Sequence, residues 1–417
     1  MPKPTKVSIA HPIVTLSPRG ATRLKSGHPW VYRSDITASP DIPPGATVQV
    51  VDPRRKPQGT ALYSSSSQIA IRMIAGDREQ VTDLPKLISR RIQAAIAYRT
   101  QYVQNTDAYR IVFSEADFLP GLIIDRYNDV ISIQILTQAM DAEPVRGAII
   151  ETLTGELKPA GILERVDPRI RDLEQLPPRD SALLWGKKSS TIITMNAVPQ
   201  DFLESREPKA ESPGVRFHYD GLEGQKTGAF LDQRENYAAA ARYAHGDALD
   251  IFCYQGGFAL HLAAKCKTVS GVDSSRPALE VADKNAALNH RELEWIEANA
   301  FDLLRDYAHA GKKYETIVLD PPAFAKTKRD LDKALSGYKE LNLRALKMLQ
   351  PGGILVTCSC SFHVGPQDFQ ETVASAARDA HKSLRLLENR GASQDHPFLL
   401  NVPETAYLKC LIFNVSN

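Results

Sequence analysis

Between residue 220 and the end, short apolar runs alternate with helical stretches, and no other feature of the sequence restricts the fold as tightly. Runs at Ala248–Cys253, Thr268–Asp273, Leu293–Glu297, Glu315–Asp320 and Ile354–Cys358 read as buried strands. Helical stretches such as Arg276–Asn289 and Tyr338–Leu349 separate them. Strands spaced by helices pair in parallel with helices on both faces, so the prediction is an α/β, doubly wound sheet. Leu384–Glu388 and Tyr407–Phe413 bring the strands to seven. That last pair is too closely spaced for a helical crossover, so one of its strands runs antiparallel.

The first half reads differently. Strand-like runs at Ile13–Leu16, Thr47–Val51, Gly59–Tyr63 and Ile69–Ile74 lie around Pro- and Gly-rich turns, which predicts a small all-β module. From Leu84 the spacing turns helical, with Leu87, Ile88, Ile92, Ala95 and Ile96 on one face and Arg90, Arg91 and Arg99 off it. Runs at Tyr109–Phe113, Leu122–Asp125 and Val130–Ile135, and a helix near Val145–Leu153, make the next part a central α+β segment. Pro177–Asp180 and Ser205–Gly214 read as connections. At about 150 residues per domain, the 417 residues divide into three: 1–78, 79–210 and 211–417.

The net charge of +2 conceals an asymmetry. Residues 1–80 hold eleven Lys or Arg against five Asp or Glu, whereas the other 337 residues sum to −4. A basic first module fits either an ordinary solvated surface or a nucleic-acid partner contacted by Arg19, Arg23, Lys25, Arg33, Arg54, Arg55 and Lys56. No apolar run is long enough for a membrane span or a signal peptide. Five scattered cysteines are too few for a disulfide framework and fit a reducing, cytoplasmic setting.

Ligands of an open parallel sheet bind beyond the carboxyl ends of its strands. The first strand ends in D-I-F-C-Y-Q-G-G-F, Asp250–Phe258, where Gly256 and Gly257 let the backbone pass close to a ligand at a helix start. The second ends at Asp273, a carboxylate suited to the two hydroxyls of a ribose. Neither G-x-G-x-x-G nor G-x-x-x-x-G-K-[S/T] occurs, which removes the usual dinucleotide and P-loop sites. A nucleoside without a diphosphate on such a sheet points to S-adenosylmethionine. Asn299, after the third strand, could meet the adenine amine, and it is equally placed to cap the helix beginning near Phe301. The fourth strand ends in D-P-P-A-F, Asp320–Phe324. Paired prolines fix the backbone and remove N–H donors, leaving carbonyls and one carboxylate on the pocket and Phe324 to stack on a planar base.

The fifth strand ends in T-C-S-C-S, Thr357–Ser361, which brings two thiols to the sheet edge. Carbon 5 of a pyrimidine accepts a methyl group only after a thiolate has added to carbon 6, so a cysteine here has a chemical purpose that nitrogen methylation lacks. Either Cys358 or Cys360 can fill it. Cys253, Cys266 and Cys410 have apolar neighbours and read as core thiols. C-x-C without a second Cys or His pair is not a zinc site, so no metal is expected.

These residues resemble a known family. G-Q-K-T-G-A-F-L-D-Q-R at Gly224–Arg234, F-C-Y-Q-G-G-F, D-P-P-A-F, D-H-P-F at Asp395 and P-E-T-A-Y-L-K at Pro403 are similar to the bacterial 5-methylcytosine methyltransferases of 23S, large-subunit ribosomal RNA. S-G-H-P-W-V-Y at Ser26–Tyr32 resembles that family's PUA signature. The resemblance implies a PUA domain, a central α+β domain and a seven-stranded, Rossmann-like methyltransferase domain. It implies that Gly224–Arg234, with Gln233, lies over S-adenosylmethionine and that Phe252, Gly256, Asp273, Asn299 and Asp320 line its site. The family's nucleophile lies in S-C-S, which makes Cys360 the choice. A separate group of RNA cytosine methyltransferases uses T-C-S and keeps Cys358 as rival. Asp320 would bond the base edge, Phe324 would pack on it, and Arg23, Lys25 and Arg33 would contact RNA. Two other functions fit the same sequence: guanine nitrogen-7 methylation of RNA, and a non-catalytic RNA-binding or ribosome-assembly factor. A homodimer is left open.

Overall fold

The computed structural model describes residues 11–79, 81–196, 214–222, 229–325 and 327–417. Of the connection expected at Ser205–Gly214 only Gly214 is among them, and of the Gly224–Arg234 block, Ala229–Arg234.

The first part runs β1 (Ile13–Leu16), α1 (Pro18–Lys25), β2 (Trp30–Tyr32), β3 (Ile36–Ala38), β4 (Thr47–Val51), β5 (Pro57–Tyr63) and β6 (Ile69–Gly76). Its strands form one sheet, ordered β2-β6-β5-β4-β1-β3, over a core of Val14, Leu16, Val31, Val48, Val50 and Ile71. Beyond the four expected strands the structure adds the short β2 and β3 and one α-helix, α1. It is polar and holds Gly20, so apolar spacing hides it. Ser17 caps it by accepting from the Gly20 N–H at 3.1 Å, and Pro18 suits the first turn. A Cβ on Gly20 would stand 2.9 Å from Asp35 Cβ, which explains the glycine.

The second part runs α2 (Leu84–Tyr102), β7 (Ala108–Phe113), β8 (Leu122–Tyr127), β9 (Val130–Ile135), α3 (Glu143–Leu157), β10 (Gly161–Glu164), α4 (Pro168–Glu174) and β11 (Ala182–Gly186). The sheet order is β11-β10-β9-β8-β7, and α2 and α3 share its core. One sequence expectation fails here. Arg99, placed off the apolar face of α2, is 1% exposed. Its spacing from Ile88, Ile92 and Ala95 continues the buried stripe, and its charge is matched by the Asp117 carboxylate and the carbonyl oxygen of Arg110.

β12 (Ser190–Met195) and β13 (Val215–Asp220) then pair antiparallel, tying together the chain on either side of residue 210. The last part follows the alternation. It comprises α5 (Arg234–Tyr243), β14 (Asp247–Ile251), α6 (Gly257–Leu262), β15 (Thr268–Asp273), α7 (Arg276–Leu288), β16 (Glu294–Glu297), α8 (Ala300–His309) and β17 (Tyr314–Leu319). There follow α9 (Leu331–Met348), β18 (Leu349–Ser359), α10 (Pro366–Asp379), β19 (Ser383–Arg390) and β20 (Lys409–Ser416). The seven strands are ordered β16-β15-β14-β17-β18-β20-β19, and β20 alone runs antiparallel, between β18 and β19. Both faces are covered by buried apolar clusters, which is why the strands read as continuous apolar runs. Among the described residues no helix is long and apolar enough to cross a membrane.

All three parts meet on the segment 391–408 between β19 and β20. Asn401 donates to Gly27 O and Glu404 lies 3.2 Å from His28 in the first part. Asp395 accepts the Arg110 N–H at 2.8 Å, and Arg99 donates to its carbonyl at 2.9 Å.

Candidate active site

The strand order reverses between β14 and β17, and there the carboxyl ends of β14, β15, β17 and β18 surround a cavity of about 350 Å³. The turn after β14 is unusual. Phe252, Tyr254 and Gly256 all adopt left-handed backbone, at φ 68°, 49° and 86°. Aromatic residues seldom do so, and two of them within three positions mark a tightly constrained turn. A Cβ on Gly257 would stand 2.5 Å from Tyr237 Cζ, so the helix that follows approaches closely only with glycine there. Asp250 fixes the turn from within the sheet. It is fully buried, it accepts the Ala259 N–H at 2.8 Å, and burial raises its pKa to about 8.

Asp273 ends β15 on the cavity wall, accepting N–H groups from Tyr254 at 3.0 Å and Ser275 at 2.9 Å. Those bonds hold its carboxylate at the mouth of the turn. Phe230 meets the Tyr254 ring edge-on, with centroids 5.1 Å apart, and both line the cavity with Phe252. Gln233 is locked in place because its amide oxygen accepts from Asn236 at 2.7 Å while its nitrogen donates to Asp320 Oδ1 at 2.9 Å. Sequence reasoning had no signal for that contact between a short helix and the end of β17.

Asp320, Pro321, Pro322 and Cys360 share the same wall. The S-C-S sequence explains how Cys360 reaches it. Ser359 and Ser361 both turn inward to the buried Tyr338 hydroxyl, each at 3.0 Å, which sends the residue between them to the opposite side. Its thiol donates to Pro321 O at 3.8 Å. Cys358 lies one pleat deeper, fully buried among apolar side chains and paired in register with Cys410. Burial drives its pKa well up.

Of the expected residues, then, Gln233, Phe252, Asp273, Asp320 and Cys360 converge on one cavity, with Gly256 in the turn beside it. Three go elsewhere. Asn299 is exposed and caps α8, accepting from Phe301 N at 2.9 Å, so the capping alternative describes it. Phe324 packs on Tyr338 and Phe301, with centroids 4.8 and 6.0 Å away, and does not line the cavity. Arg33 turns its guanidinium inward onto the carbonyls of Ser64 and Ser67. Arg23 lies over the Tyr32 ring at 4.8 Å, beside Glu404, whereas Lys25, Arg54, Arg55 and Lys56 are exposed.

Comparisons with known proteins agree with this architecture. Residues 14–75 match the model of a PUA-like domain, and residues 200–414 that of an S-adenosylmethionine-dependent methyltransferase. Ribosomal RNA large subunit methyltransferase I of Shewanella denitrificans is 37% identical over 411 residues, spanning 96% of this chain and 99% of the relative. The protein of that name from Tolumonas auensis is 38% identical over 393 residues, 92% of this chain and 94% of the relative. The crystal structure of SMU.776 complexed with SAH shares the fold, with a TM-score of 0.78 at 18% identity over 96% of this chain and 99% of that one. A sheet of this order, a cavity at its switch point and a PUA-like module ahead of it identify the chain as a member of the S-adenosylmethionine-dependent methyltransferase family that includes these ribosomal RNA large subunit methyltransferase I proteins.

Proposed function

We propose that the chain methylates carbon 5 of a cytosine in large-subunit ribosomal RNA by way of a covalent Cys360–base adduct. The observation that carries this reading is that a thiol, a carboxylate and the turn suited to a nucleoside share one cavity: Cys360, Asp320 and the Phe252–Gly257 backbone. Nitrogen methylation has no use for that thiol. The 37% identical relative is named for large-subunit ribosomal RNA, which supports the substrate class.

The cavity fits the cofactor by the chemistry of its donors. Asp273 would hold the ribose hydroxyls, Phe230, Phe252 and Tyr254 would enclose the apolar parts, and Gln233 would close the site beside Asp320. Bound there, S-adenosylmethionine supplies an electrophilic methyl group. The chain's own work is on the base. An unstacked cytosine enters beside D-P-P, and Asp320 bonds its edge near nitrogen 3. The Cys360 thiolate adds to carbon 6, which makes carbon 5 nucleophilic, and passage of the carbon 5 proton to solvent after methylation expels the thiolate. Lys25, Arg54, Arg55 and Lys56 of the first part supply phosphate contacts.

Mass-spectrometric mapping of ribosomal RNA from cells with and without the gene tests the reading. One 5-methylcytosine should disappear from the large-subunit RNA on deletion. Loss of a methylated guanine instead, or no change, would sink it. A second experiment tests the cofactor residues. Asp273→Ala should weaken S-adenosylmethionine binding by about tenfold or more, as expected for losing a charged hydrogen-bond acceptor. Calorimetry with an unchanged affinity would remove Asp273 from the site.

A further inference from the structure

We infer that Lys409 is a positioning residue for Cys360, its buried ammonium holding the S-C-S turn and favouring the thiolate over the thiol. This rests on the reading of Cys360 as nucleophile. Lys409 opens β20 directly across the ladder from Ser359 and is 5% exposed. Its Nζ donates to two main-chain carbonyls, Ser361 O at 2.7 Å and Tyr407 O at 2.8 Å. Cys360 is therefore bracketed, with the lysine facing the residue before it and bonded to the residue after it.

Buried ammonium groups are normally matched by a carboxylate. Among the described residues none pairs with Lys409; both of its bonds go to neutral oxygens. A cation kept in such a place can stabilise an anion that forms when the protein works, and the thiolate of Cys360, the residue before its Ser361 acceptor, is the anion proposed. Burial pulls the lysine pKa down to about 8, and the neighbouring Cys360 pulls it back up, so the two groups sense each other.

The other ionisable groups around Cys360 show why a cation is required. Asp320 and Asp232 line the same cavity, and carboxylates oppose thiolate formation. The Tyr407 hydroxyl bonds Asp232 at 2.5 Å, and the Tyr338 hydroxyl faces Ser359 and Ser361. Both phenols are held neutral by burial, as are the core thiols Cys253 and Cys358. Arg110, beyond Asp232, is committed to Asp125 at 2.8 Å.

The test reads the acidity of the thiol itself, in the full-length protein without RNA. Iodoacetamide alkylation of Cys360 is followed against pH by peptide-resolved mass spectrometry in wild type and in Lys409→Met, Lys409→Gln and Lys409→Arg. The midpoint should rise by about one pH unit in Met and Gln, a tenfold fall in thiolate near neutrality, and stay near wild type in Arg. Gln separates charge from hydrogen bonding, because it can still donate to a carbonyl. Overlapping profiles for wild type and both neutral variants would overturn the proposal, as would an Arg profile shifted as far as Met. Loss of S-adenosylmethionine binding in both neutral variants would overturn it too, by making the lysine part of the fold. Alkylation does not depend on turnover, so a failure here is distinct from a finding that Cys360 is not the nucleophile.

Discussion

Cys360→Ala should lower methyl transfer by on the order of 10³-fold or more, as removal of a covalent nucleophile does, while S-adenosylmethionine binds with wild-type affinity. The prediction is sharp because the rival lies only two residues away. Cys358 has its sulfur in the apolar core of the sheet, and burial opposes its thiolate. Cys358→Ala should therefore act as a small core deletion, costing about 1 kcal/mol of stability and little activity. Labelled methyl transfer to ribosomal RNA lacking the modification, beside cofactor titration, measures both variants. An active Cys360→Ala with an inactive Cys358→Ala would hand the role to the deeper thiol. If neither loses activity, the adduct mechanism is wrong. A Cys360→Ala that fails to bind cofactor would mark the residue as structural.

The S-C-S sequence shows where the sequence spoke and where it stayed silent. Strand ends are legible because a parallel sheet buried on both faces makes its strands apolar, so Asp273 and Asp320 stand out as charges where the apolar runs stop. That the two serines bond Tyr338 and thereby aim Cys360 at the cavity was not legible. Tyr338 lies on α9, more than twenty residues away, and nothing in local spacing reports a shared hydroxyl. The same holds for Gln233 on Asp320, a short helix against the residue after β17, and for Lys409 on Ser361, where the start of β20 meets the chain leaving β18. Phe324 misled in the opposite way. An aromatic residue after D-P-P suits a base, but the same ring fills the space between Tyr338 and Phe301, and core packing claimed it. Arg99 misled because a charge was taken as a surface marker, whereas a buried arginine with a carboxylate and two carbonyls is satisfied.

No residue of the D-H-P-F sequence lines the cavity, yet Asp395→Ala should be among the most destabilising single changes in the chain. Asp395 is completely buried. One carboxylate oxygen accepts the Arg110 N–H at 2.8 Å, and the other lies 3.2 Å from His396 Nδ1 and 3.4 Å from Arg234 Nη2. Burial alone would push its pKa up. The His396 ring, the Arg234 guanidinium and the Arg110 N–H outweigh burial and hold it well below the usual carboxylate range. Truncation leaves the Arg110 main-chain N–H without its acceptor and removes one carboxylate from the buried Arg234 guanidinium, which keeps Asn196 and Glu235, a defect that costs about 3 kcal/mol. Asp395→Asn keeps a similar shape and an acceptor for the Arg110 N–H, so it should cost less. Because the folded pKa is depressed, the carboxylate's contribution is fully present above its unfolded value, about 3.9, and is lost as the pH falls through the lower folded value. The gap in thermal midpoint between wild type and Asp395→Ala should hence narrow on acidification below about pH 4. Equal midpoints at neutral pH, or a gap that widens in acid, would refute the assignment. The consequence reaches the active site through the neighbouring backbone. The Ser393 N–H donates to Asp232 O at 2.8 Å, and Asp232 lines the cavity. Asp395, which holds α2 by its carbonyl and β7 by its carboxylate, thus lies two residues from a backbone bond to the wall of the cavity that Cys360 and Asp320 share.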